Sequence, residues 1–442
     1  MMNLVTTVSS IGGHFGAWRH PSAWSDTIEN LDHYREAART AEKGLFDALF
    51  LADGNGVRDM EDRALFEAMA PTSRPATFEP ITLLTALAMT TKHIGLIATA
   101  TTTYDEPFLL ARRFASLDHL SAGRGGWNVV TTSHEGDSRN FGLEDHIPKE
   151  ERYERAAEFV EVVTGLWDSW APDAFVEDRK AGRYLNADRV HVLGHRGKHF
   201  TVSGPLNATR PTQGRPILFH AGQSEAGRDL AARYADCVFT VANNKEKARA
   251  FRLEMKERAR SYGRAPEDIR VLPGMTSYVG ETVADSDTLY SELASSISPA
   301  LGVSFLSKML KVDLSSYSVD DPLPAIEGDV VGVNAFRKAL GDTAQTDRLT
   351  IRQTYERALP NMGHALFKGT GVHVADQMED WYRDGACDGF LVAHPLMPRS
   401  LDDFVEMVVP ELQRRGLHRT EYKGRTAREN MRLPIPKHLF FG

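Results

Sequence analysis

The chain has 442 residues, 42% hydrophobic and 25% charged, a balance typical of a packed globular protein and unlike that of a disordered or fibrous one. A net charge of −8 argues against a broad polyanion-binding surface, so no nucleic-acid partner is expected, while a local basic pocket stays open. Two cysteines without a CxxC, Cys237 and Cys387, exclude a disulfide framework; with no signal-like start, a cytoplasmic protein is expected.

Eight short apolar runs, each followed by a segment with three- and four-residue apolar spacing, fill most of the chain. In order, a strand at 3–8 precedes a helix at 27–43, 46–51 precedes 81–91, and 94–100 precedes 108–120. Then 127–131 precedes 150–167, 216–221 precedes 225–234, and 236–241 precedes 245–262. Finally 269–279 is paired with 374–383, and 388–394 with 401–415. Repeated strand–helix units give parallel strands with right-handed crossovers, and eight of them close into an α/β (βα)8 TIM barrel. We expect one domain over 1–442 with insertions at 173–210 and 281–369, the larger between strands 7 and 8, where it can act as a lid over the catalytic face. The most apolar stretch, 81–100, is interrupted by Lys92 and His93 and reads as helix then strand, so no membrane span is expected.

Several familiar motifs fail on spacing. Residues 222–227, GQSEAG, are one residue too long for a nucleophile elbow. The G-x-G at 123–125 and at 369–371 lacks the last glycine of a dinucleotide fingerprint. His191, His195 and His199 recur every four residues, but Gly194 and Gly197 make that stretch strand and turn, so the three do not converge on a metal.

What remains is polar residues at strand C-termini, which a barrel aims at one shared pocket. These are Asp53, Thr99, Thr101, Asn128, Thr131, Thr132, Gly222, Gln223 and Ser224, a lining suited to a large polar organic ligand. After strand 5, small residues and a helix start offer free N–H groups to a phosphate, although Ser224 serves equally well as an ordinary N-cap. Lys149 and Tyr153 lie four apart on one helix face and form a second candidate phosphate contact, unless they merely face solvent.

These residues sit within blocks that resemble the flavin-dependent, two-component monooxygenases of the bacterial luciferase-like superfamily. The similar branch contains nitrilotriacetate, dibenzothiophene-sulfone and long-chain alkane monooxygenases. The blocks include GAWRHP at 16–21, FDALFLADG at 46–54, LARRFASLDHLSAGRGGWNVVTT at 110–132, RYERAAEFVEVVTGLWDSW at 152–170 and AGQSEAGRDLAARYADCVF at 221–239. The resemblance implies a TIM-barrel enzyme using reduced FMN and O2, a separate NAD(P)H:flavin reductase as partner, and a homodimer or homotetramer. Carried over position by position, the FMN contacts are Asp53, Thr99, Tyr153 and Ser224, with Asn128, Gln223 and Lys149 as additions. Ser224 and Tyr153 would hold the phosphate. Lys149 stands where many relatives have histidine, and Met309 where sulfone-oxidising relatives have one, so sulfone specificity does not transfer.

In such an enzyme Phe50, Trp127 and Phe239 can form apolar substrate walls or simply pack the barrel, and His14 is the candidate catalytic residue, with a structural role as its alternative. The cofactor carries the hard chemistry, and the protein binds, orients and shields it. The rival readings are a deazaflavin-dependent dehydrogenase of the same superfamily and a catalytically silent flavin-binding barrel.

Overall fold

The computed structural model describes residues 1–442 except 27–28, 59, 61, 64–65, 68–69, 71–75, 311, 325–346 and 442. Eight parallel strands close on themselves: β1 (Asn3–Thr7), β2 (Ala48–Leu51), β3 (Gly95–Thr101), β4 (Gly125–Val130), β5 (Ile217–His220), β6 (Cys237–Thr240), β7 (Arg270–Val279) and β8 (Gly389–Ala393). Each pairs with its neighbours in that order, and β8 returns to pair with β1, with Asn3 opposite Gly389. The expected barrel is the observed one.

Alternation along each strand divides the core. Val5, Phe50, Ile97, Phe219, Leu272 and Leu391 fill the barrel interior. The residues of opposite parity, such as Leu4, Leu49, Leu96 and Trp127, face the surrounding helices. Those helices include α1 (Leu31–Lys43), α2 (Pro80–Ala88), α3 (Pro107–Leu120), α4 (Lys149–Trp167), α5 (Glu225–Tyr234) and α6 (Lys245–Ser261). The first was expected from residue 27. It begins at Leu31 because the Asn30 side chain accepts the Asp32 N–H at 3.0 Å and so sets the cap; Thr27 and Ile28 lie outside the described residues.

The insertion expected at 173–210 consists of two short antiparallel pairs, Phe175–Asp178 with Arg183–Leu185 and His195–Arg196 with Thr201–Val202. Its histidines serve packing: His195 Nε2 meets Glu158 at 2.9 Å, and the His191 ring stacks on Phe440. The larger insertion holds helices α7 (Val283–Ser295), α8 (Pro299–Leu310) and α9 (Ile351–Ala358), with residues 325–346 outside the described set. α8 and α9 build a core of their own from Leu301, Phe305, Leu306, Ile351 and Tyr355. An additional strand, Ala365–Gly369, pairs with the far half of β7 before helix α10 (Gly371–Arg383) leads to β8.

The N-terminal end of the barrel is closed by residues 418–436. Ala427, Met431 and Leu433 plug its interior, and the fully buried Arg428 grips Asp236 through both carboxylate oxygens at 2.9 and 2.7 Å. Among the described residues no single helix is long and apolar enough to cross a bilayer.

Candidate active site

A cleft of about 1570 Å³ opens at the C-terminal ends of the strands. Six of the seven residues singled out as flavin contacts line it: Asp53, Thr99, Lys149, Tyr153, Gln223 and Ser224. They come from β2, β3, α4 and the turn after β5, so residues up to 171 positions apart share one wall.

The turn after β5 is the most constrained part. Ser224 caps α5, its Oγ accepting the Gly227 N–H at 3.3 Å while lying 3.4 Å from the Tyr153 hydroxyl. Gly222 and Gly227 are packed Cα against backbone: a Cβ on Gly222 would lie 2.9 Å from the Gly227 Cα, and one on Gly227 would lie 3.0 Å from the Tyr153 hydroxyl. His220, 4% exposed, supports the turn from below and donates from Nδ1 to Val129 O at 2.8 Å.

The structure revises the place of Asn128. It does not line the cleft. It lies one layer below, donating from Nδ2 to Thr99 Oγ1 at 3.0 Å, and Thr99 in turn donates to Leu51 O at 2.7 Å. Asn128 Oδ1 is buried with no hydrogen-bond partner among the described residues.

The three aromatic residues named as substrate walls do not line the cleft either. Trp127 points the opposite way, into the helix layer among Phe114, Phe159 and Trp167, with its Nε1 donating to Ala100 O at 2.9 Å. Phe50 is buried inside the barrel against Phe219, and Phe239 meets the edge of His364. His14, the candidate catalytic residue, is fully buried in the loop after β1, where its Nδ1 accepts the Gly16 N–H at 3.1 Å; it too is absent from the cleft wall.

Other residues were not singled out from the sequence. Glu79, Asn55, His134 and Asp137 form a polar wall beside Asp53, and α8 of the large insertion contributes Lys308, beside Met309, which the comparison with sulfone-oxidising relatives had already marked. The D-G-N-G run at 53–56 is a turn signal that hints at the loop bearing Asn55, but nothing in the sequence pairs it with Asp137, whose Oδ2 accepts the Asn55 N–H at 3.2 Å.

Burial, with Glu79 and Asp137 adding repulsion, pushes the Asp53 carboxyl up to about 6. A raised carboxyl keeps its proton in the folded chain while the unfolded chain has released it. The site therefore costs stability as pH rises from about 4 through 6. Asp53→Asn is expected to remove that cost, gaining about 1 kcal/mol at pH 7 once solvent screening is allowed for, and almost nothing near pH 4. Denaturant titrations at the two pH values check this; an equal difference at both would mean that Asp53 titrates as an ordinary carboxylate.

A phosphorylated flavin fits these residues. The Gly222–Gly227 turn leaves no Cβ between backbone and ligand, and the Ser224 and Tyr153 hydroxyls converge where α5 presents its first N–H groups.

The luciferase-like monooxygenase family model matches residues 9–388. The chain belongs to the luciferase-like monooxygenase family. It is 43% identical to nitrilotriacetate monooxygenase component A of Aminobacter aminovorans, covering 99% of this chain and 97% of that one. It is also 43% identical to N-acetyl-S-(2-succino)cysteine monooxygenase of Bacillus subtilis, covering 98% and 97%. Among solved structures, that of DmoA from Hyphomicrobium sulfonivorans superposes with a TM-score of 0.87 at 30% identity, over 98% of this chain and 91% of that one. As a member of this family the protein is a monooxygenase, and the family implies reduced flavin and O2 as its reactants.

Proposed function

We propose that this monooxygenase takes up reduced FMN from a separate NAD(P)H:flavin reductase and uses O2 to place one oxygen atom on a small organic substrate. The oxygen enters beside nitrogen or sulfur, so that a C–N or C–S bond is then cleaved. The observation that carries this reading is the meeting of Ser224 and Tyr153 at the start of α5, inside the cleft formed by the ends of β2 to β5. The name component A supports a multicomponent system, and the two curated relatives are named for an amine and a thioether.

In this reading Ser224 Oγ, Tyr153 OH, Lys149 Nζ and the first N–H groups of α5 hold the phosphate. Asp53, Thr99 and Gln223 face the ring system, with Asn128 fixing the Thr99 hydroxyl from behind. When bound, the reduced flavin supplies the electrons that activate O2. Asp53, with its carboxyl near 6, keeps a share of its protons close to neutrality and can release one at the ring edge. Met309 and α8 lie over the cleft and exclude water from it.

An oxygen electrode tests this. With a generic flavin reductase, FMN and a panel of thioethers, sulfones, aminopolycarboxylates and haloaromatics, we expect O2 uptake matched by an oxygenated product for at least one class. No product from reduced FMN, together with substrate-linked oxidation or reduction of a deazaflavin, would overturn the reading in favour of hydride transfer.

A further inference from the structure

We propose that Asn55 binds the flavin ring, donating from its amide nitrogen to a ring carbonyl oxygen, and that Thr132 positions it to do so. This rests on the monooxygenase reading and adds a contact for the uncharged part of the cofactor.

A chain of hydrogen bonds fixes which way the Asn55 amide faces. The Thr103 N–H donates to Thr101 Oγ1 at 3.0 Å, Thr101 Oγ1 lies 2.7 Å from Thr132 Oγ1, and Thr132 Oγ1 lies 3.3 Å from Asn55 Oδ1. Thr101 is buried, and among the described residues the acceptor within reach of its hydroxyl proton is the Thr132 oxygen. Thr101 therefore donates to Thr132, and Thr132 donates onward to the Asn55 carbonyl oxygen. The reverse direction would strand a buried proton. That leaves Asn55 Nδ2, with two N–H donors and no partner among the described residues, for the cleft that Asn55 lines. The backbone of Asn55 is fixed as well, its N–H donating to Asp137 Oδ2 at 3.2 Å and its carbonyl accepting from Asn140 Nδ2 at 2.9 Å.

Thr132 supplies this arrangement from a costly conformation. Its φ of +41° lies in the left-handed region, which a β-branched residue rarely adopts. His146 Nε2, at 2.9 Å, and Arg152 hold its carbonyl there. Strain maintained by surrounding bonds clusters where a ligand must be met. The contact between Asn55, after β2, and Thr132, after β4, passes over the end of β3. Thr101 lies on that strand two residues beyond Thr99, about 7 Å further out, so the amide stands just outward of a residue assigned to the ring. Charge narrows the partner further. Asp53, Glu79 and Asp137 make this wall negative enough to push the Asp53 carboxyl up, so the oxygen that Nδ2 meets is a neutral one. Ring carbonyls meet that condition and a carboxylate does not.

Fluorescence titration with FMN, and infrared difference spectra of FMN carrying 13C at C2 or at C4, test this on the full chain, with circular dichroism to confirm each fold. Asn55→Leu and Asn55→Ala should each raise the FMN Kd about tenfold, as for one lost hydrogen bond. In both, the stretch of one labelled carbonyl should move to higher frequency, because losing a donor stiffens the C=O bond. Thr132→Val, which keeps the shape and removes the hydroxyl, should move the same band in the same direction, and Thr132→Ser should leave it in place. Carbonyl bands that ignore Asn55 while FMN still binds would overturn the contact alone, whatever happens to the Kd. A wild-type chain that takes up no FMN would overturn the monooxygenase reading, and the contact with it.

Discussion

Gly222→Ala is expected to raise the Kd for FMN about 100-fold, close to 3 kcal/mol and at the upper end of what overpacking a rigid site costs. The added methyl would lie 2.4 Å from His220 Nε2 and 2.9 Å from the Gly227 Cα. Neither neighbour can yield. Gly227 is helix backbone, and the His220 ring is buried and tied through Nδ1 to Val129 O. The turn must open, and with it the N–H groups of α5 leave their common focus. Ser224→Ala gives the milder comparison: it keeps the backbone but loses a hydroxyl, for about 1–3 kcal/mol of FMN affinity if that hydroxyl meets the charged phosphate. Fluorescence titration with FMN, beside circular dichroism to confirm the fold, reads both. Wild-type affinity in Gly222→Ala would move the phosphate away from this turn.

Arg428→Met should destabilise the barrel by about 3–5 kcal/mol, the usual result of removing one partner from a buried ion pair. Arg428 is 1% exposed, and besides Asp236 it donates to Arg215 O at 2.9 Å and Pro434 O at 3.2 Å. Its loss strands the Asp236 carboxylate, which also accepts the Leu218 N–H at 2.8 Å and so fixes the start of β5. Adding Asp236→Asn removes the stranded charge and should recover part of the loss. Denaturant midpoints of the wild type, the single variant and the double variant check this. A single variant within 1 kcal/mol of wild type would mean that the segment at 418–436 is held by its apolar plug alone.

The barrel was legible because each of its eight strands is a short apolar run bounded by turn residues, and each is followed by a helical period. The cleft wall was legible for a related reason: in a barrel, polar residues just past the ends of β2 to β5 have one common destination. The error at Trp127 came from parity. Trp127 and Asn128 are neighbours in β4, so their side chains leave on opposite faces, and both cannot look into the barrel. Gly126 and Asn128 take the inner face and Trp127 the outer. Helices α7 to α9 were missed because Ser, Asp and Thr interrupt their apolar spacing; α7 buries Leu289 and Leu293 beside Tyr278, and α8 and α9 bury Leu301, Phe305 and Tyr355 against one another, contacts between segments far apart in the chain. Lys308 could not be read as a cleft residue for the same reason.

The large insertion leaves and rejoins the barrel at one place. Val279 lies beside Gly369 in register, and the Gly280 N–H donates to Gly369 O at 3.1 Å, so the departing and returning chain are stitched together at the rim. Between those two residues the insertion also touches the barrel through Ala365–Gly369 along β7 and through the His364 ring against Phe239. Such a segment behaves as a cassette: it can change length, composition and preferred ligand while the oxidising machinery beneath stays put. Exchanging residues 281–368 between family members is thus a direct route to transplanting selectivity without rebuilding the reaction centre.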